Sequence, residues 1–175
     1  AIVETDDNLQ DVIITRVDND VLHIETKKNI MKSTQKNITV HYISLSGLKA
    51  TSGSQMTSNN TIISDSFKLA CSSGANANIA LESNDVALKV SSGGTVNLKG
   101  NTDILKAKVS SGGNLNATSF AAKTVQAKAS SGGNLSIHAK ESLKADASSG
   151  GNISYSGNPK QLDIMDNRSG SVNKS

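Results

Sequence analysis

The chain has 175 residues, a formal net charge of +3 at pH 7 and a single cysteine. One cysteine excludes an internal disulfide framework and a multi-cysteine metal site. No stretch approaches the roughly 20 apolar residues that a membrane helix needs. Aromatic residues make up 2% of the chain, which favours a narrow interior of Ala, Val, Leu and Ile over an ordinary globular core.

The first 46 residues are acidic at their start and lack the repeat that fills the remainder. Two apolar runs, Val12–Val17 and Val21–Ile24, flank a polar turn and predict a β-hairpin. Residues 27–36 predict a polar loop, and Ile38–Leu45 predicts a strand leading into the repeats. Because the ends of repeat folds need a polar cover, we expect this segment to cap the first repeat within the same domain. The expected division is residues 1–46 for the cap and 47–175 for the repeats.

A Ser-Ser-Gly-Gly tetrapeptide recurs from residue 91 onward with first-serine spacings of 19, 20 and 18 residues. Weaker copies lie on both sides of the four full ones. A fixed period near 19 is typical of a repeat fold. The full copies begin at Ser91, Ser110, Ser130 and Ser148.

Apolar residues occupy the first, third and fifth positions before each first serine, and the positions between them are mostly polar. This period of two predicts strands with one buried face. A second alternating strand follows each pair of glycines. We therefore predict an all-β, single-stranded β-helix (β-solenoid) of about 19-residue coils: strand, tight corner, second strand and a looser return. Seven corners stacked at about 4.8 Å imply a rod on the order of 30 Å long. The predicted returns are Gly100–Asp103, Thr118–Lys123, Ala139–Ser142 and Ser156–Lys160.

The corner glycines are predicted to be structural, because glycine reaches positive φ at no steric cost. Asparagines directly after the glycines, at Asn114, Asn134 and Asn152, are expected to lie in register and to form an amide ladder. The predicted corner residues are Gly74, Gly93, Gly94, Gly112, Gly113, Gly132, Gly133, Gly150 and Gly151.

These corners, the alternating strands and the opening segment Leu9–Ile24 resemble the autotransporter-adhesin head GIN domain family of Bacteroidetes-type bacteria. The resemblance spans nearly the whole chain. It implies a single-stranded β-helix, export to the periplasm, outer-membrane surface or extracellular space, often with a lipid anchor, and an adhesin role. Members usually start with further coils, so the chain looks shortened at its N-terminus. The family carries no established catalytic motif and implies no cofactor.

Lysines form the candidate binding surface. Lys89, Lys108 and Lys128 are predicted to occupy one outward position on successive coils, with Lys49 one coil further out. Lys68, Lys106 and Lys144 fill the adjacent outward position. An anionic partner would suit them: an acidic polysaccharide, lipid headgroups or the acidic face of a cell-surface protein. The alternative is a solvated face that discourages aggregation. Nucleic acid is disfavoured because no aromatic residues accompany the lysines.

Other functions rest on weaker patterns. Glu82, Asp85, Asp103 and Glu141 fall in the predicted returns, which leaves a polysaccharide-cleaving, pectinase-like enzyme as the alternative. The three histidines share no ligand spacing, so neither a zinc site nor a catalytic triad is expected. The corners also lack the aspartates of calcium-binding repeats. Pairing of the acidic start with the basic body of another copy would give a homo-oligomer.

Overall fold

The computed structural model describes residues 2–5, 12–27, 36–166 and 169–175. These residues form strands and turns, and no helix among them is long and apolar enough to cross a membrane. The chain divides into two compact units, Ala1–Ile43 and Ser44–Ser175. Most of the loop expected over residues 27–36 lies outside the described residues. The all-β solenoid with an N-terminal hairpin is confirmed.

The first unit holds two antiparallel strand pairs. The predicted hairpin is present as β2 (Ile13–Asp18) and β3 (Val21–Thr26). Its turn residues Asn19 and Asp20 have φ of 48° and 60°, which Asn and Asp tolerate better than other non-glycine residues. This explains a tight turn without glycine.

The strand expected at Ile38–Leu45 is wrong in extent. Instead, β1 (Ile2–Thr5) pairs antiparallel with β4 (Lys36–Thr39), and residues 40–46 are not strand. Local alternation cannot reveal that pairing, because its two strands lie more than 30 residues apart in sequence. The cap role of residues 1–46 stays a prediction.

The second unit is the solenoid. Its strands form one sheet in which each strand pairs in parallel with its counterpart one coil later. The short strands at its two ends and the long ones between them are β5 (Gly47–Ala50), β6 (Gln55–Thr57), β7 (Ile62–Cys71), β8 (Asn76–Val90), β9 (Thr95–Val109), β10 (Asn114–Ala129), β11 (Asn134–Ala147), β12 (Asn152–Ser156), β13 (Gln161–Asp166) and β14 (Ser171–Lys174).

Three of the four predicted returns are part of long strands and are not loose, contrary to the expectation. The fourth, Ser156–Lys160, does separate two strands, since β12 ends at Ser156 and β13 begins at Gln161. Strands β8, β9, β10 and β11 run unbroken from one corner to the next, over 15, 15, 16 and 14 residues. The extra residue of the longest coil is absorbed as a register shift between Asn116 and Ser119. The shift overlaps the start of the predicted return Thr118–Lys123. The extra residue is therefore accommodated by a β-bulge within the strand and not by a loop.

The core is a stack of equivalent apolar side chains along the solenoid. The column five residues before each corner contains Phe67, Val86, Leu105, Val125 and Leu143, each at most 1% exposed. Neighbouring columns contain mostly Ala, Val, Leu and Ile. The scarcity of aromatic residues therefore follows from a thin interior that small and branched side chains fill.

Each Ser-Ser-Gly-Gly corner is a tight turn closed by a hydrogen bond from its fourth residue to its first. The N–H of Gly133 donates to the Ser130 carbonyl at 3.0 Å. Both central residues are left-handed: φ is 49° at Ser131 and 71° at Gly132, as in a type I′ turn. The second serine, and not only the glycine, therefore adopts positive φ. From the sequence, positive φ was expected at the glycines alone.

The two glycines of a corner serve different purposes. A Cβ on Gly132 would meet nothing within 4 Å, so its positive φ explains the choice of glycine. At Gly133 φ is not positive, but a Cβ would lie 2.8 Å from the carbonyl carbon and oxygen of Val109 on the preceding coil. The first glycine therefore permits the turn, and the second permits the coils to approach.

A second repeated feature, a set of local side-chain hydrogen bonds inside β7, β8 and β9, was not predicted from the sequence. The hydroxyls of Ser64, Ser83 and Thr102 each donate to the carbonyl two residues on, at 3.0 to 3.1 Å. Such local bonds favour turns. The signal was present as Ser or Thr followed by Asp or Asn at a spacing of 19 residues.

Cys71 is a buried core residue whose thiol lies 3.1 Å from the Ala75 carbonyl oxygen. Burial raises the pKa of the thiol above its ordinary value of 9.0, and a backbone hydrogen bond at Thr95 partly opposes this increase.

We expect the Cys71 thiol of the native protein at pH 8 to resist a maleimide that modifies the denatured chain rapidly. Because the folded pKa is raised, this group's contribution to stability should be intact at pH 8 and decline as the pH rises past 9.0. Equal labelling of native and denatured protein would contradict this prediction.

Candidate functional site

The lysines lie on the outer face formed by the strands that precede the corners. Lys89, Lys108 and Lys128 are in register on β8, β9 and β10. The next residue in this column is Asp146, and on the other side of Lys89 it is Ala70. Lys49 is thus two coils from Lys89, and not one as expected.

In the adjacent column, lysines alternate with uncharged residues. Lys68 is followed by Ala87, then Lys106, Gln126 and Lys144. No two lysines of this column are therefore on neighbouring strands. The direct stacking of like charges is confined to the first column.

Half of the expected binding lysines are paired with carboxylates. The ammonium of Lys128 lies 3.1 Å from Asp146, that of Lys144 lies 2.8 Å from Asp163, and that of Lys106 lies 3.6 Å from Asp85. Exposed ion pairs of this kind contribute little to stability. They do cancel the positive charge locally.

The other three, Lys68, Lys89 and Lys108, form what we call the lysine patch. Among the described residues, no carboxylate lies within 4.0 Å of their ammonium groups. Lys89 and Lys108 are directly opposed on adjacent strands, and Lys68 is the diagonal neighbour of Lys89. All three side chains are exposed. Opposed like charges are destabilising, and a bound anion would relieve this repulsion.

A groove lies on the same face toward the C-terminal end of the solenoid. Its lining includes Thr124, Ser142, Gln161 and the ion pair of Lys144 with Asp163. Because these two charges compensate each other, the groove carries less uncompensated positive charge than the lysine patch.

Of the acids considered for catalysis, Glu82 and Asp85 are not in register with an acid on β9. Glu82 is in register with Asn101, and Asp85 with Ile104. The Lys123 ammonium lies 2.6 Å from Asp103. Its pKa is raised by this hydrogen bond, by the charge of Asp103 and by the charge of Glu141. Lys123 therefore pairs with Asp103, while the charge of Glu141 acts on it without a direct ion pair.

Among the residues that the structure describes, no group of three or more His, Cys, Asp or Glu residues could hold a metal ion. Nδ1 of His138 lies 2.9 Å from the Ser156 hydroxyl, and that hydroxyl contacts the Ile137 carbonyl at 3.3 Å. This contact links two coils.

The architecture defines a repeat protein, a β-solenoid with glycine corners and an exposed lysine patch. The sequence matches, over residues 1–159, the family described as "Putative auto-transporter adhesin, head GIN domain". The chain belongs to this family, as the resemblance had implied. Membership indicates an exported or cell-surface protein. No curated protein matches the chain in sequence.

Solved structures share the fold at low sequence identity. A putative adhesin from Bacteroides fragilis has a TM-score of 0.88 at 21% identity, covering 97% of this chain and 79% of its own. A putative adhesin from Parabacteroides merdae has a TM-score of 0.69 at 22% identity, covering 99% and 82%. A protein from Parabacteroides distasonis described as a putative lipid binding protein has a TM-score of 0.63 at 21% identity, with the same two coverages.

Proposed function

We propose that this protein is a non-catalytic adhesin that binds an acidic polysaccharide through the lysine patch. The observation that carries the proposal is the register of Lys89 with Lys108, both exposed and with no carboxylate within 4.0 Å among the described residues. Such an arrangement costs stability in the free protein. A polymer carrying carboxylates at regular intervals would offset that cost.

The geometry suits an extended polyanion better than a small anion. Lys89 and Lys108 are one strand spacing apart, about 4.8 Å, and Lys68 adds a third charge diagonally on the preceding coil. An extended polymer can contact them together, and linked contacts raise the overall affinity well above that of one contact. No enclosed pocket is needed for such binding.

Neutralising the patch should abolish much of the binding. We expect Lys89→Gln combined with Lys108→Gln to weaken binding of polygalacturonate by about tenfold or more, measured by calorimetry at low salt. Wild-type affinity should fall as the salt concentration rises. The same variant should be a few tenths of a kcal/mol more stable when free, because the opposed charges are gone.

Lys128→Gln combined with Lys144→Gln is the matched control. It removes the same formal charge but from lysines held by Asp146 and Asp163, so binding should weaken less. Equal losses in the two variants would reduce the effect to net charge and refute the patch. Failure of the wild type to bind polygalacturonate, alginate or heparin would refute the proposal itself.

Anionic vesicles provide a second binding test, because one solved structure of the same fold is described as a putative lipid binding protein. The proposal expects vesicles of phosphatidylglycerol to compete weakly with polygalacturonate for the patch. Tight, lysine-dependent binding to vesicles without binding to any acidic polysaccharide would assign the patch to lipid instead.

A further inference from the structure

The face on the other side of each corner has a different chemistry. The first and third residues after the corners point outward on β6, β8, β9, β10, β11, β12 and β14, and successive ones are in register. None of the fourteen is charged or apolar. We call this surface the amide face; its members are Gln55, Thr57, Asn76, Asn78, Thr95, Asn97, Asn114, Asn116, Asn134, Ser136, Asn152, Ser154, Ser171 and Asn173.

Hydrogen bonds between coils fix the orientation of several of these side chains. The Asn97 amide donates to the Asn78 carbonyl oxygen at 2.8 Å, and the Asn152 amide donates to Asn134 at 3.2 Å. The Ser171 hydroxyl donates to Asn152 at 2.6 Å. The amide ladder expected from the sequence is therefore present in part. An asparagine amide has two N–H donors and two acceptor lone pairs, so a ladder bond leaves hydrogen-bonding capacity directed to solvent.

Structural stability alone does not explain the whole surface. A ladder of stacked amides accounts for asparagine over asparagine, but Thr95, Ser136 and Ser154 interrupt that stack. What all fourteen side chains share is an uncharged group that can form hydrogen bonds. Solubility alone would equally admit Lys or Glu, and the opposite side of the corner does carry Lys, Asp and Met at such positions.

From this contrast we infer that the amide face is a second binding surface, for a neutral polysaccharide lying along the solenoid. Its donors and acceptors repeat at the strand spacing of about 4.8 Å, close to the length of one extended sugar residue. Sugar hydroxyls both donate and accept, as the amides do. No charge on these columns needs to be compensated or desolvated, which disfavours an ionic ligand there.

Because the amide face has no aromatic side chains, we expect its affinity for each sugar residue to be low. Without stacking platforms, each coil contributes only hydrogen bonds that replace those to water, and each is worth little net. Affinity must come from several coils bound to one chain. The ligand is thus a polymer, and a monosaccharide or disaccharide of the same sugar should bind far more weakly.

The test uses the whole protein with neutral polymers: hydroxyethylcellulose, galactomannan, arabinoxylan, dextran and soluble starch. We expect at least one to bind in calorimetry, with an affinity that is nearly unchanged between low and high salt. Asn97→Ala combined with Asn116→Ala, adjacent in register, should weaken that binding by about tenfold. Lys89→Gln combined with Lys108→Gln is the matched control and should leave it unchanged.

Side-chain amide signals in a nitrogen–proton NMR spectrum give a readout that needs no variant. Titration with the bound polymer should shift the asparagine amides of the amide face. The inference is overturned if none of the five polymers binds, if binding survives the Asn97 and Asn116 changes, or if the amide signals do not move. Because the acidic-polymer test depends on salt and on the lysine patch, either result can fail without the other.

Discussion

Replacing Gly133 by valine is expected to lower the free energy of unfolding by about 3 kcal/mol or more. An added Cβ would lie 2.8 Å from the Val109 carbonyl carbon and 3.0 Å from the Ser110 nitrogen. These are backbone atoms of the preceding coil and cannot rotate away as a side chain would. Ala75 occupies the equivalent position of an earlier corner, so a lone methyl can be accommodated there, and valine is the sharper test.

Gly132→Asn is the matched control one residue earlier. The Gly132 site has positive φ, which asparagine tolerates, and open space where a Cβ would go. We expect a loss of about 1 kcal/mol or less, measured by urea denaturation of both variants. If Gly133→Val proves no more destabilising than Gly132→Asn, the close contact between coils is not as the structure has it.

Phe120→Ala is expected to cost about 3–5 kcal/mol, the range for a large aromatic removed from a core. Phe120 is fully buried and lies in register with Gly100, which offers no side chain at that level. The thin interior has few neighbours that could close the cavity. Ser119→Ala, at an exposed neighbouring position, should change the stability by less than about 0.5 kcal/mol. Similar denaturation midpoints for the two variants would show that Phe120 is not a core residue.

The solenoid could be predicted because its signals are local and repeated. Alternation before each corner fixes which side chains face inward, and a period near 19 places equivalent residues on adjacent coils. The pairing of β1 with β4 could not be predicted this way, because it joins distant segments without a repeat. The left-handed conformation of Ser131 and its equivalents was hidden because serine rarely adopts positive φ.

The candidate surface was predicted less well than the fold. Alignment of the corners placed Lys89 beside Lys108 correctly. It also placed Asp146 after Lys128, and the ion pair between them could have been inferred from that column. The pairing of Lys106 with Asp85 is harder to foresee, because it joins different columns diagonally. Only the ion pairs seen in the structure distinguish the lysines that are paired with carboxylates from those of the lysine patch.

The amide face was only partly predicted from the sequence. Three of its asparagines were expected to stack, and the residues themselves were visible in the sequence. What the alignment of single positions did not reveal is that two adjacent columns lack charge along their whole length. That property emerges only when the strands following the corners are seen as one continuous surface.

The most direct test of the account is the distance between Lys89 and Lys108, since both binding surfaces depend on side chains stacking once per coil. Nitroxide labels on Lys89→Cys and Lys108→Cys, in a Cys71→Ala background, should lie about one strand spacing, roughly 5 Å, apart at their attachment points. We expect strong dipolar broadening of the electron paramagnetic resonance spectrum for this pair and weaker broadening for Lys89→Cys with Lys128→Cys. Absence of broadening for the Lys89 and Lys108 pair, or stronger broadening for the Lys89 and Lys128 pair, would show that the side chains do not stack once per coil.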